Sequence, residues 1–409
     1  MKIAIFSDCY LDLTGGIVSS INAQKKALED NGHEVYVSSS GYRRSDKELD
    51  KLAKEHVFVV PSCRWLIRGV TPIARRPGII EKWLLREHPE LRDFDLFYVH
   101  YEAGCSIAGL RLAKKHNIPS LQVMHGREDM GVTSLIPFGF RTLVAFLLNL
   151  SHSLYIAHPI KVRKDDYLAN TIAKAKMWTM MVNHANYADY VLTPSEHFRK
   201  KLQHYGVSQK FFLMPNGFPD DKMPSSVNIR KLENGEPLRI IWHSRVSGEK
   251  RIMVLLAALA KVHDKYQMEV YGDGSDFARA KKYASRHKLN VKFYGNASFE
   301  KVRKAIERAH LGILTSYNFD NYPMTLVEDE ATGLPVLICD PDMREILPEG
   351  GYVLCKNETV DGIAEAINEL ISNPEKISTM SQVMIEHRDE VTMSKRIKTL
   401  EKIISDINK

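Results

Sequence analysis

The chain has 409 residues, of which 44% are hydrophobic and 26% charged. That length exceeds one ordinary core and predicts two domains, and the composition is that of a soluble globular protein, not a fibrous or disordered one. The net charge of +7 is a mild excess, open to an acidic membrane or an anionic ligand; no nucleic-acid-binding motif accompanies it, and nucleic acid is not an expected partner.

Met1-Lys-Ile-Ala-Ile-Phe6 reads as a first buried strand, Lys2 to Ser7, with no secretory leader. A loop containing Gly15-Gly16 follows, then a helix from Ile17 to about Asp30. Further strands are expected at 34–38, 56–60, 96–100 and 120–124, the last ending at His125-Gly126. Alternating strands and helices mean a doubly wound parallel sheet. Residues 127–188 break this rhythm with a mostly helical insert, whose apolar run Thr142–Leu150 is too short to span a bilayer. Strands return near 190–194 and 211–215, and a polar, proline-containing linker occupies 219–237. A second alternation follows, with strands near 239–243, 268–271, 291–294, 311–314, 336–339 and 352–354, and a last helix from Met393 to about Asp406. Two such domains in series imply ligand binding at their strand C-terminal ends, across a cleft. The expected bounds are 1–215, 216–388 and a terminal segment 389–409. Cys9, Cys63, Cys105, Cys339 and Cys355 are scattered without a CxxC pair, which reads as reduced thiols in the cytoplasm.

The most informative stretch is Asp320-Asn-Tyr-Pro-Met-Thr-Leu-Val-Glu-Asp-Glu-Ala-Thr-Gly-Leu-Pro-Val336. Pro323 suits a helix start, and Gly333 suits its end. Free N–H groups at the start of a helix attract anions, and carboxylates beside them can read hydroxyls; a nucleotide sugar carries both. The stretch resembles the E-x7-E signature of family 4 retaining glycosyltransferases with the GT-B fold, whose usual form is E-G-F-P-x-x-x-x-E-A-x-x-x-G-x-P-V. Here Asp320 replaces the first Glu, and Glu328 stands at the second. Ser244-Arg-Val-Ser-Gly-Glu-Lys-Arg251 is similar to the family's G-R-x-x-x-x-K-G segment, with Arg245 and Lys250 at the same spacing and Ser244 and Arg251 in place of its glycines.

The resemblance implies two Rossmann-like domains facing a central cleft, with the last helix crossing back to the first domain. It implies a hexosyltransferase that uses a nucleotide-diphosphate sugar, with UDP-glucose the expected donor, and no metal or other cofactor. Arg245 and Lys250 would face the leaving diphosphate. Asp320 would contact the donor sugar, and Asn321, Tyr322, Pro323, Met324, Thr325, Leu326 and Glu328 would line the donor. Gly15 and Gly16 would approach its phosphate, Gly272 would lie in the donor loop, and Tyr294 would meet the base. His125 would touch the sugar, although a neutral, satisfied histidine is the alternative. Asp340-Pro-Asp342 has the look of a metal-binding D-x-D but reads as a loop, and no metal ligands are expected.

Cys63 to Arg86 interleaves Arg64, Arg68, Arg75, Arg76, Lys82 and Arg86 with Trp65, Trp83 and aliphatic residues. This suits an anionic membrane surface, and equally a solvated helix pair packed on the core. The opening Ile5-Phe-Ser-Asp-Cys-Tyr10 is similar to that of bacterial diacylglycerol glucosyltransferases, whose acceptor segment aligns with His125-Gly-Arg-Glu-Asp129. A membrane lipid acceptor at the inner face of the cell membrane is therefore expected. The alternatives are a polysaccharide, teichoic-acid or protein acceptor, a GT-B-fold sugar-nucleotide epimerase, and a non-catalytic membrane-binding module.

Overall fold

The computed structural model describes residues 1–8, 16–41, 45–67, 71–263 and 265–408. They form two compact units: unit 1, Met1–Pro215 with Ile397–Lys409, and unit 2, Asn216–Arg396.

Unit 1 contains β1 (Lys2–Ser7), β2 (Glu34–Ser40), β3 (Val57–Val60), β4 (Ser62–Ile67), β5 (Thr71–Ala74), β6 (Leu96–His100), β7 (Ser120–Val123), β8 (Tyr190–Thr193) and β9 (Lys210–Leu213). Seven of these form one parallel sheet in the order β3-β2-β1-β6-β7-β8-β9, while β4 and β5 form a separate antiparallel ribbon. β1 is central: Ile3 pairs with Val35 on one side and Leu96 on the other. Its apolar run is buried from Ile3 to Phe6, as a strand covered by helices on both faces requires. Gly109 lies so close to the Phe6 ring that a Cβ would meet it at 2.5 Å, which is how the helix Gly104–His116 seats on the sheet.

Unit 2 contains β10 (Leu238–His243), β11 (Tyr266–Tyr271), β12 (Val291–Gly295), β13 (Leu311–Leu314), β14 (Val336–Ile338) and β15 (Tyr352–Leu354), all parallel, in the order β12-β11-β10-β13-β14-β15. Both sheets are doubly wound, and strand order reverses between β1 and β6 in unit 1 and between β10 and β13 in unit 2. Ligands of such sheets bind at those reversals, beyond the strand C-terminal ends.

Three expectations change. The segment 64–86 is not a helix pair: β4 and β5 form a hairpin, and only Pro77–Glu87 is helical. Unit 2 extends to Arg396 rather than ending at 388, so the boundary falls inside the helix Met393–Ile407. The stretch 219–237 is no free linker, because Arg230 donates to Thr332 O at 2.9 Å and its amide to Ser381 Oγ at 3.0 Å, fastening it to unit 2.

Candidate functional site

The reversal in unit 2 gathers two loops. After β10 the chain passes through Ser244 and Arg245 to a 3-10 turn, Gly248–Lys250; after β13 it passes through Thr315–Tyr322 to the helix Met324–Ala331. Lys250 Nζ meets both oxygens of Asp320, at 2.6 and 2.9 Å, with the two side chains only 8% and 10% exposed. Ser316 Oγ also donates to Asp320, and Thr315 Oγ1 donates to Lys250 O at 2.8 Å. Lys250 is thus not an open cation but half of a buried ion pair. Arg245 differs: its side chain is 64% exposed, with one contact to Glu249 at 3.2 Å.

Arg251 occupies the left-handed region at φ +60°, where a glycine would sit without strain. Its guanidinium holds the turn to both neighbouring loops, donating to Thr315 O at 3.2 Å and Glu358 O at 2.6 Å.

One residue of this site escaped the sequence reading. His243, the last residue of β10, faces Glu328 Oε2 at 3.2 Å through Nδ1 and Asp329 Oδ1 at 2.8 Å through Nε2. Two carboxylates on the two ring nitrogens are satisfied only by the doubly protonated ring. Burial opposes that charge, but Asp329 and Glu328 outweigh it and raise the His243 pKa to about 10. Asp329 is itself pushed up by burial and drawn back down by His243. His243 thereby fixes Glu328, whose side chain remains 26% exposed. The available signal was the paired departure from the family pattern, Asp329 in place of the Ala after the second acid.

The other donor positions divide. Pro323 caps the helix start and Thr325 Oγ1 reaches His243 O at 3.4 Å. Asn321 and Tyr322 are largely buried, Met324 packs partly on the core, and Asn216 donates to Tyr322 O at 2.8 Å. Leu326 has its side chain in the core, and its amide donates to Pro323 O at 3.1 Å. Gly272, at φ +124°, is needed for a protein contact, since a Cβ there would sit 2.1 Å from Ser244 O. Tyr294 is 37% exposed and stacks on Tyr271, with centroids 4.6 Å apart. Asp340 organises its loop by accepting from the amides of Asn318 and Asp342 at 2.7 and 3.1 Å. A pocket of about 620 Å³ among Arg239, Gln267, Asn290 and His310 lies where the strands begin, at the opposite end of the sheet from these groups.

In unit 1 the reversal carries Asp8, just beyond β1. Its carboxylate accepts from the amides of Cys105 at 2.7 Å and Ala103 at 3.1 Å and from Ser106 Oγ at 2.6 Å, capping the helix Gly104–His116. Burial still pushes its pKa up. Glu102, which the sequence reading passed over, is pushed well up by burial and by the charges of Glu128 and Asp8. Glu128 is raised by burial and by Asp129. His125 lies 2.7 Å from His100 Nδ1 through its Nε2, and burial lowers its pKa to about 4. Arg127 and Asp129 form a fully buried pair at 2.6 Å.

Gly15 and Arg68 lie outside the described residues, as do the side chains of Arg64 and Trp65; Gly16 begins the helix Gly16–Asp30. Arg75 and Arg76 are exposed. Trp83 is partly buried against the core cluster that contains Ile80 and Leu84 and meets His88 edge-on at 5.6 Å. Among the described residues no helix is long and apolar enough to cross a membrane, and no group of three or more His, Cys, Asp or Glu could hold a metal ion.

Two family models match: Glycosyltransferase Family 4 over residues 14–222 and Glycosyl transferases group 1 over residues 227–386. The alpha-monoglucosyldiacylglycerol synthase of Acholeplasma laidlawii is 24% identical over 93% of this chain and 91% of its own. Its namesake from Streptococcus pneumoniae is 23% identical over 92% and 79%. The crystal structure of Anabaena HepE in complex with UDP superposes with a TM-score of 0.68 at 16% identity, covering 99% of this chain and 100% of that one. With two doubly wound parallel sheets of seven and six strands, this is the GT-B fold, and the chain belongs to Glycosyltransferase Family 4.

Proposed function

We propose that this glycosyltransferase moves glucose from UDP-glucose to a membrane lipid acceptor such as diacylglycerol, with retention of configuration and without a metal ion. The observation that carries the donor half is the cluster at the unit 2 reversal: Lys250 paired with Asp320, the exposed Arg245 beside them, and Glu328 held by His243. A nucleotide diphosphate has two anionic groups to be neutralised as the glycosidic bond breaks, and cations already fixed in place stabilise that charge without reorganising. Lys250 is fixed by Asp320 and Thr315, while the exposed Arg245 can exchange its contact with Glu249 for the incoming phosphates. Glu328, aimed by the His243 imidazolium, accepts hydrogen bonds from ribose hydroxyls. Asp320 takes hydroxyl groups of the transferred sugar while keeping Lys250 in position. In unit 1, burial disfavours the charged forms of Glu102 and His125, which suits an uncharged hydroxyl nucleophile. The names of the relatives favour glucose and diacylglycerol, and the UDP in HepE favours a uridine donor.

The test is incubation of the protein with UDP-glucose and vesicles containing diacylglycerol, in the presence of EDTA. The expected product is an α-linked glucosyl lipid. Absence of glycolipid from every UDP-hexose offered, with a soluble glycan glucosylated instead, would replace the acceptor; absence of any transfer would remove the reading.

A further inference from the structure

The helix Arg141–Ser153 faces the wrong way for a water-soluble domain. Of the fifteen exposed large apolar side chains among the described residues, eight fall between Phe138 and Leu154, so the exposure is a patch and not a scatter. Leu143, Leu147, Leu150 and Leu154 follow one another at helical spacing and are 55%, 51%, 47% and 72% exposed. Phe138 and Phe140, in the turn before the helix, are 84% and 62% exposed.

The opposite side holds the helix to the protein. Ala145 is fully buried against Ala173, Met177 and Met180 of the helix Ile172–Tyr187, and Asn149 donates to Lys176 O at 2.8 Å. His152 is buried between His158 and His184, at 2.7 and 3.0 Å. Small and polar residues therefore point inward and leucines outward.

The surrounding charge selects the occupant. Between Asp129 and Asp165 there is no acidic residue, while Arg141, Lys161, Arg163 and Lys164 are all cationic. Arg141 lies 5.6 Å from the Phe138 ring and Lys176 lies 5.8 Å from the Phe146 ring, so cations border the apolar face directly. The segment bearing Lys161 and Arg163 is tied to the same supporting helix by Val162, whose amide donates to Thr179 at 3.0 Å. A second copy of this chain would bring like charge against like charge with no acid in this segment to offset it. An anionic leaflet supplies both the apolar layer and the negative charge. From Leu143 to Leu154 the helix is about 16 Å long, roughly half a bilayer core, which fits a helix lying in the plane of the leaflet.

We propose that the face from Phe138 to Leu154 is a docking surface for an anionic bilayer. Its leucines and phenylalanines enter the headgroup–acyl boundary, and Arg141, Lys161, Arg163 and Lys164 meet the lipid phosphates. This deepens the lipid-acceptor reading, on which it rests for its purpose, and moves the membrane contact from residues 64–86 to the helical insert.

The test is co-sedimentation of the full chain with phosphatidylglycerol/phosphatidylcholine vesicles at low salt. Leu143→Ser/Leu147→Ser/Leu150→Ser should lower partitioning at least tenfold with an unchanged Tm. Phe138→Ser/Phe140→Ser, outside the helix, provides a second route to the same result. Arg75→Glu/Arg76→Glu should change partitioning less than threefold. Binding of both serine variants at the wild-type level, or a wild type that stays in the supernatant, would overturn the proposal. So would a wild-type dimer in sedimentation velocity that the triple variant dissociates while its vesicle binding is unchanged. Transfer to a detergent-dispersed short-chain diacylglycerol, without vesicles, reports on the chemistry alone and should survive in the triple variant. Failure of that transfer in a wild type that still binds vesicles would remove the proposed function and leave the docking face standing.

Discussion

The two sheets reverse at the same kind of place but with opposite electrostatics. At the β1/β6 reversal of unit 1, the helix Gly104–His116 has its free amides occupied by Asp8. Burial raises Asp8, Glu102 and Glu128 and lowers His100 and His125, so the region tends to neutrality. At the β10/β13 reversal of unit 2, the helix Met324–Ala331 begins after Pro323, which has no side-chain oxygen to cap it. Its neighbours form close pairs of acid and base: Lys250 with Asp320, and His243 with Glu328 and Asp329. Topology marks both places as candidate sites, and side-chain charge distinguishes them: opposite charges in pairs at the unit 2 reversal, and groups that burial pushes toward their neutral forms at the unit 1 reversal.

Removing the cation at the centre of unit 2 breaks that contrast most sharply. Lys250→Met should lower turnover by about two to three orders of magnitude. It should also destabilise the fold by about 3–5 kcal/mol, because the buried Asp320 loses its counter-charge. UDP release and chemical denaturation measure the two losses. Arg245→Ala tests the exposed cation: turnover should fall by about two orders of magnitude, with stability within about 0.5 kcal/mol of wild type.

Glu328→Gln should act mainly on the donor KM, since ribose contacts are made equally in the ground and transition states. His243→Ala should raise the same KM by releasing Glu328; an unchanged KM would make His243 purely structural. His243 also gives a pH signature. Its folded-state pKa, about 10, lies above the ordinary histidine value. Its stabilisation is therefore fully present below about pH 6.5 and is lost as pH rises through 10. Thermal unfolding from pH 6 to 10 should show this decline, flattened in His243→Ala. The smallest effect is expected in unit 1. Burial and the charges of Glu128 and Asp8 oppose ionisation of Glu102, so Glu102→Gln should destabilise the fold less than Lys250→Met does, as chemical denaturation of the two variants would show.

The strands were legible because parallel strands buried on both faces are written as unbroken apolar runs, as in Ile3–Phe6 and Leu311–Leu314. The start of the helix at Met324 was legible from Pro323. The pairing of Lys250 with Asp320 was not, because the two are 70 positions apart and each reads as a separate surface charge. His243 was hidden in a strand whose pattern it does not disturb. The β4–β5 hairpin was obscured by basic residues and by Pro72. Cys339 and Cys355, scattered in sequence, bring their sulfurs to 3.7 Å only through adjacent β14 and β15. The apolar run Thr142–Leu150 was visible, but whether it faced a core or solvent depended on the partner helix at Ile172–Tyr187.

The proposed donor site stands or falls with the Lys250–Asp320 cluster, which could otherwise be a purely structural ion pair. Lys250→Met/Asp320→Leu separates the two, because replacing a buried pair by apolar groups of similar volume is often neutral for stability. The direct measurement is UDP release from UDP-glucose by this double variant beside the wild type, with Tm recorded for both. The double variant should keep a Tm within a few degrees of wild type and turn over at least about a hundredfold more slowly. A folded double variant that turns over UDP-glucose at close to the wild-type rate would contradict it.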